Sequence, residues 1–172
     1  VLLKGLRALQ IGPGLAAAVC GRALADLGAD IIRLDADSSS PLGAYLNHGG
    51  TGDALSLDML ADHSASSKLI ICEGCPSDLS SQGLDQKSLR ALNPNAVLVY
   101  ISPFGQTGPW ANRPASDLTL FAASGVSRML TGQVQDVSEP PTRPVGEQSA
   151  FIGGLAAACA AMHAALLDAD QQ

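Results

Sequence analysis

The chain has 172 residues, 47% of them hydrophobic, and a formal net charge of −6. This is enough apolar material for one folded domain with its own core, and too much for a disordered chain. The acidic balance and the lack of a basic run argue against a nucleic-acid surface or a membrane surface, and we expect neither partner.

The first part of the chain has the pattern of a strand, a helix and a second strand. We predict a buried strand over residues 6–11 and a helix over 15–27, with Gly28 at its carboxyl end. A second strand over 31–34 ends before Asp35. Because such crossovers are right-handed, the two strands should be parallel neighbours.

The middle of the chain alternates loops with apolar runs. Residues 37–53 are rich in Ser and Gly and are predicted to be a loop, followed by a short strand over 54–57. Further strands are predicted over 68–74 and 96–102. Between them lies a predicted helix over 84–92, with Asp85 favourable in its first turn.

Two helices are predicted near the carboxyl end. The first covers residues 116–130 with Ser116 as its N-cap, and a Pro-rich loop over 132–146 follows it. The second covers residues 148–168 and is rich in Ala. Its stretch 151–167 contains His163, and we interpret it as a buried helix rather than a membrane span.

The alternation of strands and helices predicts an α/β fold. Because most strands are continuously apolar, the sheet should be doubly wound and mostly parallel, with helices on both faces, as in Rossmann-like domains. We treat residues 1–172 as a single α/β domain. Ligands bind such sheets beyond the carboxyl ends of the strands, where the segments IGPG and SPFGQTGP fall, so we expect a site there.

One alternative for this site is a dinucleotide. Gly12 and Gly14 follow a strand and open a helix, and Asp35 ends the next strand, which is the context of a dinucleotide-binding motif. Pro13 removes one backbone N–H from the turn. A dinucleotide-binding domain is therefore retained as an alternative.

The four cysteines indicate neither a disulfide framework nor a metal site. Cys72 and Cys75 form a C-x-x-C pair at the end of a strand, without a second pair or a nearby His. We interpret them as two unrelated thiols, and we expect no metal and a reduced cytoplasmic setting. Because the chain begins at Val1, we also expect it to be a piece of a longer protein.

Three segments resemble the class III CoA-transferases, the family that includes formyl-CoA transferase, carnitine-CoA transferase and α-methylacyl-CoA racemase. They are LKGLRALQIGPGLAAAVCGRALADLGADIIRLD, AYLNHGGTGDALSLD and SLRALNPNAVLVYISPFGQTGPWANRPASDLTLFAASGVSRMLTG. Members of this family are more than twice as long. The resemblance therefore implies that the chain is the N-terminal part of the large α/β domain.

The resemblance also implies ligands and partners. Family members form interlocked dimers, so a homodimer or heterodimer is expected, with acyl-CoA or CoA as substrate and no covalently bound cofactor. The implied reaction is acyl-CoA:carboxylate CoA transfer through an aspartate that attacks the thioester. The residues implied to line the CoA end are Gly12, Pro13, Gly14, Arg33, Leu46, Asn47, Gly105 and Gln106.

The chain departs from the family pattern around this ligand. The position of the nucleophilic aspartate falls on Ala150, or on Phe151 with a slip of one residue, and Glu147 is the nearest acid. Two other family features, a basic pair and an Asn-Phe turn, are also replaced, here by Gly50-Thr51 and Gly74-Cys75. We therefore expect weakened CoA chemistry, and retain as an alternative a non-catalytic scaffold half of a tandem or hetero-oligomeric CoA-transferase.

Overall fold

The fold is described from a computed structural model of the chain. The structure describes residues 2–49, 51–130 and 144–167, together with 136, 138 and 140; for residues 51–53 it describes the backbone only. Most of the predicted loop over 132–146 and residue 168 of the predicted last helix lie outside these residues.

Five strands form one sheet in the order β3-β2-β1-β4-β5. They are β1 (Arg7–Ile11), β2 (Asp30–Leu34), β3 (Thr51–Asp53), β4 (Leu69–Glu73) and β5 (Val97–Ile101). Every neighbouring pair is parallel, and the predicted pairing of the first two strands is confirmed. The sheet therefore has the α/β class that alternating strands and helices predicted.

Helices cover both faces of the sheet. They are α1 (Leu15–Asp26), α2 (Pro41–Leu46), α3 (Leu57–Ser66), α4 (Pro76–Ser81), α5 (Gln86–Leu92), α6 (Asp117–Ala123), α7 (Val126–Leu130) and α8 (Gln148–Leu166). Residues of α1 and α8, including Leu24 and Ala158, form one core with Ala8 of β1. Residues of α3, α4 and α5 form a second core with the opposite face, so the sheet is doubly wound.

The helices α1 and α8 pack closely because α8 presents small residues to α1. A Cβ atom at Gly154 would come within 2.5 Å of the Ala16 carbonyl oxygen and 2.7 Å of the Val19 Cβ. Both distances are shorter than real Cβ contacts allow. Gly154 therefore permits the approach that brings the amino end of α8 beside the amino end of α1.

The prediction of a loop over 37–53 is wrong, because this stretch contains α2 and β3. The helix α2 begins with a Ser-Pro pair, in which the Ser40 Oγ accepts a hydrogen bond from the Gly43 N–H at 3.0 Å. The predicted strand over 54–57 is also wrong. Ser56 caps the amino end of α3 there by accepting from the Met59 N–H, so the chain turns into a helix.

The later helices differ from prediction in detail. Asp85 is the N-cap of α5 rather than a first-turn residue, and its side chain accepts from the Lys87 and Ser88 amides. Ser116 is confirmed as an N-cap, since its Oγ accepts from the Thr119 N–H. The single helix predicted over 116–130 is two, α6 and α7, separated by Gly125 with a φ of 79°.

The prediction that α8 is a buried helix is wrong. Its buried residues are small, namely Gly154, Ala158, Ala161 and Ala165, whereas several of its larger side chains face outward. Ile152, Leu155 and Leu166 are 59%, 51% and 74% exposed. By length and composition α8 also qualifies as a helix able to cross a bilayer, which the sequence analysis did not expect.

Candidate functional site

A cavity of about 560 Å³ lies at the carboxyl edge of the sheet, where β4 and β5 end. Its walls come from the amino ends of α1 and α8 and from α6 and α7. The apolar lining consists of Leu15, Ile101, Leu120, Phe121, Val126 and Ile152, among others. The carboxyl groups in the lining belong to Glu73, Asp117 and Glu147. This is the edge at which parallel α/β sheets bind their ligands.

Glu73 ends β4 and reaches the amino end of α1. Its Oε2 accepts a hydrogen bond from the Ala17 N–H at 2.8 Å. A Cβ atom at Gly14 would overlap this carboxyl group, so glycine is needed there for the contact. Burial raises the pKa of Glu73, while hydrogen bonds from the Ala17 and Ala16 amides act in the opposite direction. The chain thus fills the amino end of α1 with its own carboxyl group.

Asp117 holds the amino end of α8 in the same way. Its Oδ1 accepts hydrogen bonds from the Ser149 N–H at 2.7 Å and from the Ser149 hydroxyl, with which it forms a very close contact. Asp117 is buried, and its Oδ2 has no hydrogen-bond partner among the residues that the structure describes. One oxygen of the Asp117 carboxyl group therefore bonds the amino end of α8, while the other stays without a described partner in a partly desolvated environment.

Ala150, at the predicted position of the nucleophile, and Glu147, the nearest acid in the sequence, both line the cavity. Ala150 lies in the first turn of α8, and Glu147 is the N-cap residue, exposed and without a side-chain capping bond. The sequence analysis had not placed Glu73 or Asp117 in the site. Asp117 carried a weak local signal, as the residue after an N-cap Ser, whereas Glu73 carried none because its partner is 56 residues away.

Five of the eight residues predicted for the CoA end lie in loops at this edge. Gly12, Pro13 and Gly14 form the turn between β1 and α1. Gly105 is exposed, and the Gln106 Nε2 donates to the Gly74 carbonyl oxygen at 3.1 Å. None of these five is among the described residues that line the 560 Å³ cavity, and their role stays a prediction.

The other three, Arg33, Leu46 and Asn47, are buried side chains. Asn47 accepts from the Gln10 Nε2 at 3.1 Å and donates to the Asp37 carbonyl oxygen at 2.7 Å. Arg33 is 1% exposed, and within the described part of the chain its Nε and one terminal nitrogen lack a hydrogen-bond partner. Burial, and then the nearby Arg22, lower the pKa of Arg33. These side chains do not face the cavity, and their contact with CoA also stays a prediction.

The cysteines do not form a redox pair. Cys72 is buried in β4, and burial raises its pKa to about 12, so its thiol is neutral at ordinary pH. Cys75 is the N-cap of α4, a helix that was not predicted from the sequence and that starts directly at Pro76. Among the described residues no group of three or more His, Cys, Asp or Glu is placed to hold a metal ion.

Comparison with known proteins finds one family. The family model described as CoA-transferase family III matches residues 3–172. Among curated proteins, the chain is 29% identical to the succinyl-CoA–D-citramalate CoA-transferase of Chloroflexus aurantiacus, over 94% of this chain and 45% of that protein. It is 25% identical to a probable fatty acyl-CoA transferase of Mycobacterium tuberculosis, over 83% of this chain and 41% of that protein.

Solved structures agree on the fold. A CaiB/BaiF family protein from Brucella suis superposes with a TM-score of 0.81 at 23% identity, over 98% of this chain and 50% of that one. The chain thus spans less than half the length of the two curated relatives and half that of the solved structure.

Proposed function

The chain belongs to CoA-transferase family III, and on that premise we propose that it supplies the cavity that holds the thioester end of an acyl-CoA. One observation carries the proposal. The position at which the resemblance puts the nucleophile, Ala150, lies on the wall of the 560 Å³ cavity. The cavity is a feature of the packing and the nucleophile position a feature of the sequence, and both lie at the amino end of α8.

The proposed ligand follows from the chemistry of the walls and from the relatives. Apolar side chains surround a few convergent polar groups, as in sites for small organic ligands. One curated relative is named as a succinyl-CoA–D-citramalate CoA-transferase and the other as a probable fatty acyl-CoA transferase, and we extend a CoA thioester substrate to this chain on that basis. First-turn amides of a helix lack intrahelical partners, so the α8 amino end suits a developing oxyanion.

The chain is proposed to bind the thioester without attacking it through α8. Ala150 has no nucleophilic atom, and the Glu147 carboxyl group lies on the exposed rim. Covalent CoA transfer needs a carboxylate held in line with the thioester carbon. We propose that the remainder of a longer protein, or a second subunit of a homodimer or heterodimer, completes the reaction, and that the protein is cytoplasmic.

The proposal is tested by adding back the missing group. In the presence of the remainder or second subunit that completes the site, the variant Ala150→Asp should gain CoA transfer from butyryl-CoA to a free carboxylic acid. The transfer is followed by chromatography of the CoA esters. The matched control is Ala156→Asp, an exposed position on the same helix away from the cavity. Phe151→Asp tests the alignment slipped by one residue. If neither Ala150→Asp nor Phe151→Asp transfers CoA, the assignment of the α8 amino end as the nucleophile position fails.

A second candidate is a non-catalytic scaffold half, as the loss of the aspartate and the exposed apolar face of α8 also suit a protein kept for assembly. The scaffold predicts no thermal shift with millimolar acyl-CoA, whereas the cavity proposal predicts one. A dinucleotide would need its pyrophosphate where the Glu73 carboxyl group bonds α1, and we do not propose it.

A further inference from the structure

We propose that the cavity selects an apolar acyl group that has no free carboxylate at its far end. This inference rests on the proposed function, since it concerns the part of the acyl-CoA that the cavity would enclose. It concerns the acyl chain itself rather than CoA, and it follows from the size, the polarity and the charge of the described walls.

The walls suit a hydrocarbon group of moderate size. A volume of about 560 Å³ falls within the usual range for small-molecule sites. The break at Gly125 separates α6 from α7, and residues of both helices, Leu120, Phe121 and Val126, line the cavity. Ile101 and Leu15 add apolar surface from the ends of β5 and α1. An apolar acyl group would bury its surface against these side chains.

The charges of the walls disfavour an acidic acyl group. Three carboxyl groups, from Glu73, Asp117 and Glu147, line the cavity, and no Lys, Arg or His is among the described residues that do so. A free carboxylate at the far end of an acyl chain would have to lie among them. Like charges held together in a partly desolvated site raise each other's energy, and proteins normally meet a ligand carboxylate with Arg or Lys.

Donors at both helix ends of the cavity already have acceptors within the chain. The Ala17 N–H donates to Glu73, and the N–H and hydroxyl of Ser149 both donate to Asp117. An entering carboxylate would compete with the chain's own carboxyl groups for these donors and leave one of them unpaired. The cavity would therefore discriminate mainly by excluding an acyl group with a charged end, and less by binding an uncharged acyl group tightly.

The experiment compares two acyl groups of the same length. Butyryl-CoA and succinyl-CoA each carry four acyl carbons and differ at the far end, where a methyl group replaces a carboxylate. Dissociation constants are measured by isothermal titration with the 172-residue chain, with free CoA as the reference for binding that does not involve the acyl group. We expect butyryl-CoA to bind at least about tenfold more tightly than succinyl-CoA, the effect of one unpaired charge partly screened by solvent.

A positive charge added to the wall should abolish or reverse the preference for butyryl-CoA. Ile152 and Leu155 are both exposed apolar residues of α8, so replacing either with Arg is compatible with folding. Only Ile152 lines the cavity. Ile152→Arg should bring the two dissociation constants together or favour succinyl-CoA. Leu155→Arg, the matched control, should keep the preference for butyryl-CoA.

The outcomes separate this inference from the proposed function. If succinyl-CoA binds as tightly as butyryl-CoA, and both bind better than free CoA, the cavity holds thioesters but the inference is wrong. If both thioesters bind no better than free CoA, the acyl group is not enclosed and the inference is wrong. If no CoA species binds, the proposed function fails and the inference fails with it.

Discussion

The amino ends of α1 and α8 meet at the same cavity and are stabilised by the same device. Neither helix is capped by the side chain of its own N-cap residue, Gly14 in α1 and Glu147 in α8. Each instead receives a carboxyl group from a distant element, Glu73 for α1 and Asp117 for α8. Both carboxyl groups satisfy first-turn amides, which have no partner inside the helix.

The two ends differ in what is left for a ligand. At α1 the Glu73 carboxyl group binds backbone amides and fills the space that a side chain at Gly14 would occupy. A ligand anion would therefore find this helix end already occupied. At α8 the carboxyl group of Asp117 binds Ser149, and the next residue, Ala150, leaves the wall of the cavity open. The amino end of α1, which follows the glycine turn, is thus occupied by the chain's own carboxyl group, whereas the amino end of α8 faces the cavity.

Both helix ends reach the cavity because α1 and α8 pack closely. A variant that disturbs this packing should therefore have the largest effect on the free energy of unfolding. Gly154→Ala would force the added methyl group against the Ala16 carbonyl oxygen and Val19, and overpacking of this kind should lower the free energy of unfolding by about 3 kcal/mol. Urea denaturation followed by circular dichroism measures it.

Gly153→Ala is the control on the same helix, because a Cβ atom there meets nothing within 4 Å. Since Ala favours helix more than Gly does, this variant should be neutral or more stable by up to about 1 kcal/mol. Equal losses in the two variants would mean that the spacing of α1 and α8 is not set at Gly154.

The second effect concerns the capping of α8. Asp117→Ala leaves the N–H and the hydroxyl of Ser149 without their acceptor, and should cost about 2 kcal/mol of unfolding free energy. Ser149→Ala removes only the hydroxyl bond and should cost about 1 kcal/mol. Both are measured by urea denaturation.

The double variant tests whether the two residues act as a unit. If they do, its loss should be smaller than the sum of the two single losses, because the hydroxyl bond is already absent in Asp117→Ala. Additive losses would instead mean that Asp117 stabilises the fold through contacts other than Ser149.

The sequence predicted the parts of the fold whose signal is local. The strands β1, β2, β4 and β5 are apolar runs, and α1 has helical spacing, so each was placed within about one residue of its bounds. The helices α2 and α4 were missed because each has only six residues, and α3 because half of its ten residues are polar. Their start signals were present, a Ser-Pro pair for α2 and Ser56 with Asp58 for α3, but no apolar stripe followed.

The site was predictable only in outline. Parallel topology predicted a ligand site at the edge where the cavity lies, and the resemblance put the missing nucleophile at Ala150, which lines that cavity. Glu73 and Asp117 could not be placed there from sequence, because each bonds a residue more than 30 positions away. The outward face of α8 was misjudged for a related reason, since composition shows that a helix is apolar but not which side meets the core.

The smallest expected effect is a dependence on pH, and it sharpens the difference between the two helix ends. Because burial raises the pKa of Glu73 above its ordinary value of 4.5, the folded chain holds this proton more tightly than the unfolded chain. The resulting stability is fully present below that ordinary pKa and is lost as pH rises through the folded pKa. Glu73→Gln keeps an acceptor for the Ala17 amide and cannot titrate.

The stability of the natural chain relative to Glu73→Gln should therefore fall as pH rises from about pH 4 to about pH 7, measured by urea denaturation across that range. Glu147→Gln, on the exposed rim of the same cavity, is the matched control and should keep the pH dependence that Glu73→Gln loses. A relative stability that rises with pH would mean that the amides at the amino end of α1 outweigh burial. The carboxyl group would then be a stabilising cap in its charged form, as an anion at a helix amino end usually is.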